Sequence, residues 1–353
     1  MANGAVLGQI PKGGMAAELI VDKISGVTFT DVTATNKDTG EILQASEDSN
    51  RYKFLAYKYG NYEVSLNFNG RPIKNDIIVD VCKQYKFITT NPDLNANSWA
   101  DISEIASKGM GASMWSVGDA KEITLNGTIA SLTLTNYKTW VYILGFNHNA
   151  EREGNNLIHF GCFRNGKDYS DTNSIALVDN NYNYQNSDGF SMNRNNLNTG
   201  GWESSQMRNT IINANATSVF TGNTFLNALP NDLKAVLKRC IKYTCNRPSG
   251  TSDSESYITP TSDWAFLLSE FEVEGRRVWA SIYEQDYQQQ YEYYRLGNSM
   301  IKYKHNNPGG ICIWWCRSLY ITSTENFCDR TTQNYSSTGP ATWSYGFAPA
   351  FCV

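Results

Sequence analysis

Glu270 and Glu272, with Asp263 upstream and Glu274 downstream, are the carboxylates whose spacing most suggests chemistry. In an extended strand, residues two apart face the same way, so this pair would form an acid and a base across a cleft, as a glycan hydrolase requires. The same residues have a commoner use, capping a turn or pairing with Arg276 and Arg277. His148, His159 and His305 stand far apart, with neither the HxH nor the HExxH spacing that sets two imidazoles on one metal. Cys82, Cys162, Cys240, Cys245, Cys312, Cys316, Cys328 and Cys352 are scattered without paired CxxC spacing. Free thiols are the expectation for a chain folded in a reducing cytoplasm. No GxSxG, P-loop or GxGxxG follows a strand-like run. The reading is of a non-enzyme with no metal and no cofactor.

These residues need elements to carry them. A chain of 353 residues suits two domains. Its net charge of −4 and pI near 5.5 provide no basic footprint, which disfavours nucleic acid and membrane insertion. With 21 Tyr, 15 Phe and 9 Trp beside only 18% charged residues, the composition is that of a β-rich, externally displayed protein. Aromatic contact area combined with adaptable Asn, Ser and Gly hydrogen bonds is paratope chemistry. Met1 to Lys23 shows no charged segment followed by an apolar run, so no secretory signal is read there.

Residues 1–17 are small and Gly-rich and read as an arm without a core. Residues 18–88 alternate short β-runs (ELIVDKI, VTFTDVTAT, YKFLAY, YEVSLNF, DIIVDV) with turn chemistry at Lys37-Asp38-Thr39-Gly40 and Asn69-Gly70, which predicts a small antiparallel β-sandwich. Residues 89–353 form the second domain. A helix capped by Ser98 or Asp101 opens it, and further helices are predicted over 204–212, Leu229–Thr244 and 285–300, the last stopped by Gly297. Asp179–Asn198 has no apolar periodicity and reads as a long surface loop. Three short strands close the chain. The fold class is therefore α+β.

The landmarks of the second domain, in order, are SWADISEI, WSVGDAKEITLNGT, ILGFNHN, GGWESSQMR, LPNDLKAVLK, LLSEFEVEG, QQQYEYY, GNSMIKYKHN, WWCRS and the terminal GFAPAFCV. Together, from Trp99 to Val353, they resemble the phage and prophage variable proteins of diversity-generating retroelements, which have a C-type-lectin fold similar to the formylglycine-generating-enzyme branch. In the first domain, Asp38-Thr39-Gly40-Glu41 followed by Tyr59-Gly60-Asn61-Tyr62-Glu63-Val64 resembles Ig- or transthyretin-like spacer modules.

The resemblance implies a receptor-binding adhesin at a phage tail tip. It would be made in the bacterial cytoplasm, be carried in the virion and act extracellularly on a bacterial surface protein or glycan. Other tail proteins and copies of the same chain, a trimer included, are its implied partners. The alternatives are a tail-associated glycan hydrolase and a structural tail collar protein. Calcium is not implied, because the EPN or QPD tripeptide and the WND of sugar-binding C-type lectins are absent.

In such systems template adenines are mutagenised, and an AAY codon never becomes Lys, Glu, Gln, Met or Trp. From His305 to Val353 there is no Lys or Met, one Glu (Glu325) and one Gln (Gln333). Trp314, Trp315 and Trp343 must then be fixed framework or lie outside diversified codons. Trp314 and Trp315 form a framework with Arg317, whose guanidinium is expected to order the loop that follows. Diversified, ligand-binding positions between about 310 and 345 are then expected at Ile311, Ile313, Cys316, Leu319, Tyr320, Thr322, Asn326, Cys328, Asp329, Thr331, Tyr335 and Ala341. The related oxidase branch uses cysteines near its C-terminus, but Cys316 falls among positions expected to change, which is incompatible with an obligatory nucleophile.

Overall fold

A computed structural model describes residues 16–353 apart from 69, 88–89, 218–219, 249 and 332–334. Most of the expected N-terminal arm therefore lies outside the described residues. The chain divides into two compact units, one running to Asn97 and taking in Met110–Trp115, the other comprising Ser98–Gly109 and Ser116–Val353. The helices are short: α1 (Trp99–Ser107), α2 (Gly111–Met114), α3 (Ala150–Glu153), α4 (Gly201–Ser204), α5 (Phe225–Ala228), α6 (Asn231–Lys234), α7 (Glu270–Glu274) and α8 (Glu292–Arg295).

The first unit holds β1 (Ala17–Asp22), β2 (Phe29–Asn36), β3 (Ile42–Leu43), β4 (Ala45–Glu47), β5 (Arg51–Ala56), β6 (Gly60–Phe68), β7 (Arg71–Val79) and β8 (Gln84–Phe87). They form two sheets ordered β4-β5-β1-β8 and β3-β2-β6-β7. Strict alternation in β6 buries Tyr62, Val64, Leu66 and Phe68 on one face, as a half-buried strand requires. The Asn36 side chain accepts the amides of Asp38 (3.0 Å) and Thr39 (3.1 Å), an Asx turn that sets the β2–β3 hairpin. One pairing departs from the all-antiparallel expectation: β1 runs parallel to β8.

The second unit is α+β, with strands predominating. Ser98 caps α1 in a complete capping box whose third residue is Asp101, so both candidate caps take part. Next come β9 (Ala120–Ile129), β10 (Leu132–Phe146), β11 (Ile158–Arg164), β12 (Ile175–Ala176), β13 (Cys240–Cys245), β14 (Ile258–Asp263), β15 (Ala265–Leu267), β16 (Lys302–Lys304), β17 (Asn307–Cys312), β18 (Trp314–Leu319), β19 (Asn326–Arg330), β20 (Ser336–Pro340) and β21 (Pro349–Cys352). The central sheet is ordered β15-β21-β11-β10-β9, so the closing strand lies in its middle. Smaller sheets, β12-β16-β17, β13-β14 and β18-β19-β20, build the rest.

Several helical expectations are corrected. Leu229–Thr244 is not one helix but the single turn α6 followed by strand β13, whose inward positions are the buried Cys240, Lys242 and Thr244 and whose outward one is Ile241. Residues 285–300 contain only α8 and the tail of a 3-10 turn at Ile282–Asp286, although Gly297, with φ 89°, does terminate α8. Asp179–Asn198 lacks regular structure as expected, yet Phe190, Ser191, Met192 and Asn198 are fully buried, so it is strapped to the domain rather than free on its surface. The straps are carboxylate and amide bonds. Asp179 accepts from the Phe190 amide (3.1 Å) and the Ser344 hydroxyl (2.6 Å).

Candidate functional site

Glu270 and Glu272 do not share a face, because they open helix α7 rather than lie in a strand. Ser269 caps that helix, and Glu272 completes the capping box. From there the Glu272 carboxylate takes a bidentate bond from Arg317 (2.5 and 2.9 Å) and a third from Lys242 (2.9 Å). Lys242 in turn donates to Glu153 (2.6 Å) and the Tyr291 hydroxyl (2.8 Å). All of these side chains are buried. Burial alone would raise the pKa of Glu272, but Arg317 and Lys242 override it and hold the carboxyl well below its ordinary range. Burial pushes Glu153 up to about 7, against the pull of Lys242. Arg276 pairs with Glu274 at 3.2 Å, not with either member of the proposed acid–base pair.

Glu270 has a different task. Its carboxylate accepts the backbone amides of Val278 (2.9 Å), Trp279 (3.0 Å) and Ala280 (3.0 Å), and the Ser336 hydroxyl as well. Three successive N–H groups converging on one buried anion make a rigid loop. That loop presents Trp279, a residue 37% exposed whose indole N–H is tied to the Ser336 carbonyl (3.0 Å). Edge-on to it, at 5.3 Å and 82°, stands Tyr320. Ile282 (47% exposed) follows on the same segment, and Tyr335 (49%) precedes Ser336. The β18–β19 turn carrying Tyr320 and Thr322 is also fixed from below. Asn198 donates to the carbonyls of Ser323 and Asn326 (2.9 Å each), and the buried Arg247 to those of Ile321 (2.9 Å) and Ser323 (2.6 Å). The result is an exposed aromatic patch on pre-set backbone. Neither Trp279 nor the Glu270 clamp was expected from the sequence; the only signal was a Trp flanked by small residues after a Gly-Arg-Arg turn.

The sequence-derived positions divide sharply. Cys316, Leu319, Cys328 and Ala341 are fully buried and Asp329 is nearly so, which corrects the expectation that they are displayed. They point into a core where a larger or charged residue has no room. Burial raises Asp329 to about 8, so it sits there as a neutral acid. Thr322 and Tyr335 are exposed, and Ile311, Ile313, Tyr320, Asn326 and Thr331 partly so. Tyr320 packs on Trp279, and Thr322 and Tyr335 directly adjoin Ile321 and Ser336, whose backbones bond to Trp279, whereas Ile311 lies on β17, in a different sheet. In the framework both indoles are fully buried, Trp314 donating to the Met300 carbonyl (3.0 Å) and Trp315 to that of Phe190 (2.8 Å). Arg317 does not order the following loop as expected. It is fully buried and bonded to Glu272, Thr244 and the Leu267 carbonyl, so it orders the core.

An open cleft of about 530 Å³ lies elsewhere, lined among others by Phe146, His148, Asn149, Phe271, Gln289 and Arg295. His148 stacks on Tyr291 at 3.7 Å, and burial drives its pKa down to about 3, so the ring is neutral. Among the described residues lining this cleft the carboxylate is Glu292, paired with Arg295 at 3.4 Å. An acid and a base facing each other are not assembled there.

A family model described as a domain of unknown function, DUF6273, matches residues 172–353, more than half of the chain, and the chain belongs to that family. No curated protein and no solved structure matches it. Among the described residues no helix is long and apolar enough to cross a membrane.

Proposed function

We propose that this chain is a receptor-binding protein of the retroelement-diversified type, with a C-type-lectin-like second unit that engages a bacterial surface protein or glycan. The observation that carries the reading is the Trp279–Tyr320 pair, Trp279 exposed and Tyr320 partly so, on loops that Glu270, Asn198 and Arg247 tie down. Pre-set aromatics lose little entropy on binding and are the usual anchors of a recognition surface. The fold reading is supported by the closing strand β21 lying mid-sheet between β11 and β15, directly after the three-stranded β18-β19-β20 layer. Binding without catalysis is supported by the fate of the carboxylates, because Glu270 and Glu272 are spent on backbone amides and on Arg317 and Lys242. Display at a phage tail tip, in several copies, would turn weak single contacts into strong adhesion.

On this reading the changing positions are the exposed or partly exposed members of the expected set, Ile311, Ile313, Tyr320, Thr322, Asn326, Thr331 and Tyr335, with Trp279 as a constant platform beside Tyr320. The test is retention of the full chain on intact bacterial cells and on a panel of bacterial surface polysaccharides. The Trp279→Ala/Tyr320→Ala variant is expected to bind about thirtyfold more weakly or worse, the loss of a ~2 kcal/mol hot spot. A Cys82→Ser control should be unaffected. Wild-type retention by the double variant overturns the assignment of this face.

A further inference from the structure

Three side chains from three strands meet in the core of the second unit: His159 of β11, Cys240 at the start of β13 and Cys352 of β21. One ring nitrogen of His159 and both sulfurs lie within 4.8 Å of one another, and all three residues are fully buried. Backbone pairing fixes their positions. His159 and Cys352 are directly opposed in the β11–β21 register, and just before β13 the Lys238 amide donates to the Cys352 carbonyl at 2.9 Å. Glu153, the last residue of α3, brings a carboxylate oxygen to 3.6 Å from the Cys240 sulfur and 4.0 Å from His159 Nδ1.

A second observation points to a ligand. Nδ1 of His159 shares a hydrogen with the Tyr291 hydroxyl at 3.0 Å, but its buried Nε2 has no hydrogen-bond partner. An orphaned buried nitrogen costs about 1–3 kcal/mol, and native cores leave few of them. Tetrahedral zinc, with sulfur at about 2.3 Å and nitrogen at about 2.0 Å, spaces its donors roughly 3.3–3.8 Å apart, so donors that lie within 4.8 Å of one another would draw in by up to about 1 Å to hold it.

We propose that His159, Cys240 and Cys352 form a structural site for a thiophilic divalent ion, specifically zinc, and that Glu153, which stands beside this three-donor cluster, turns in as the fourth donor. The site is closed to solvent, as structural zinc sites are, and Glu153 turning in would supply the four donors such sites need. Its surroundings are already arranged as a supporting shell: Tyr291 orients the His159 ring and Lys242 orients the Glu153 carboxylate. Charge balance also favours it. Two thiol protons leave as two positive charges arrive, so the net charge of the core is unchanged. The adjoining group of His148, Glu153 and Glu272 is the poorer candidate, because it offers no sulfur and its Glu272 takes three hydrogen bonds from Arg317 and Lys242. No sequence motif announces this site, since its donors come from strands separated by long stretches of chain. It is independent of the binding role.

The full chain, expressed with zinc in the medium and desalted, should retain about one equivalent of zinc, and X-ray absorption should show two sulfurs at about 2.3 Å with nitrogen or oxygen at about 2.0 Å. Cys240→Ser and Cys352→Ser should each lower the content at least about tenfold, while Cys312→Ser keeps it. If those variants fail to fold, cobalt substitution of the unaltered chain decides. Near-ultraviolet thiolate-to-cobalt bands with strong tetrahedral d–d bands support the site. Metal-free protein without those bands, a Cys240–Cys352 disulfide in peptide mapping, or equal metal loss in Cys312→Ser overturns it.

Discussion

Replacing Glu270 by Gln tests the clamp beneath the aromatic patch. The carboxylate is fully buried and accepts three consecutive amides, from Val278 to Ala280, besides the Ser336 hydroxyl. Hydrogen bonds to a charged acceptor contribute about 1.5–3 kcal/mol each. Gln keeps the shape and one carbonyl oxygen, but it loses the charge and turns an NH2 toward donors, so a local loss of about 2–4 kcal/mol is expected. The loop can open without unfolding the domain, and the loss should therefore appear as local opening. Amide hydrogen exchange read by NMR should show Val278, Trp279 and Ala280 exchanging roughly 30- to 1,000-fold faster at tenfold per 1.4 kcal/mol, with β11 and β21 little changed. Exchange of the three amides within about twofold of wild type would refute the idea that Glu270 sets the Trp279 loop.

Other expectations follow from the same network. Arg317→Met leaves Glu272 buried with only Lys242 for neutralisation and should cost about 3–5 kcal/mol in denaturant unfolding; a cost below about 1 kcal/mol would contradict the paired-core reading. Burial raises Asp329 to about 8 from an ordinary 3.8, so its stabilising neutral form is complete below the unfolded value and is lost as pH rises through the folded one. Asp329→Asn, which mimics that neutral form, should gain about 1–3 kcal/mol on wild type between pH 4 and pH 8.5, and thermal melts with no pH-dependent difference would argue against it. His148 has the opposite sign: its pKa is depressed to about 3, so its contribution is present above the unfolded value of 6.5 and is lost as pH falls toward 3. His148→Phe, which keeps the stack on Tyr291, should flatten the acid side of the Tm profile; an unchanged profile would place that loss elsewhere.

How far the fold was legible depended on where polar groups went. The β-rich first unit, the capped α1 and the terminal strands follow the simple rule of apolar residues inward. β13 inverts that rule, with Lys242 and Thr244 inside and Ile241 outside, and so it read as the end of a helix. The partners that make such inversion tolerable, Glu153, Glu272 and Tyr291, are far away in sequence, and spacing cannot reveal them. For the glutamates of α7 the commoner expectation holds: Ser269 followed three residues later by Glu272 is a capping signature, and Glu272 caps the helix, whereas the strand alternation of Glu270 and Glu272 is not formed. At the C-terminus, codon compatibility selects residue types without regard to burial. It therefore grouped Cys316 and Leu319, which face the core, with Thr322 and Tyr335, which face solvent. Trp279 carries little sequence signal of its own, because its loop is held by a carboxylate nine residues earlier in the chain.

Sequencing the 3′ end of the gene across a population carrying it tests the binding account most directly. Substitutions should concentrate at the codons of Ile311, Ile313, Tyr320, Thr322, Asn326, Thr331 and Tyr335, at template adenines, leaving Trp314, Trp315, Arg317, Cys316, Leu319, Cys328, Asp329 and Ala341 constant. Substitutions spread evenly over the gene, or concentrated at the buried positions, would contradict it.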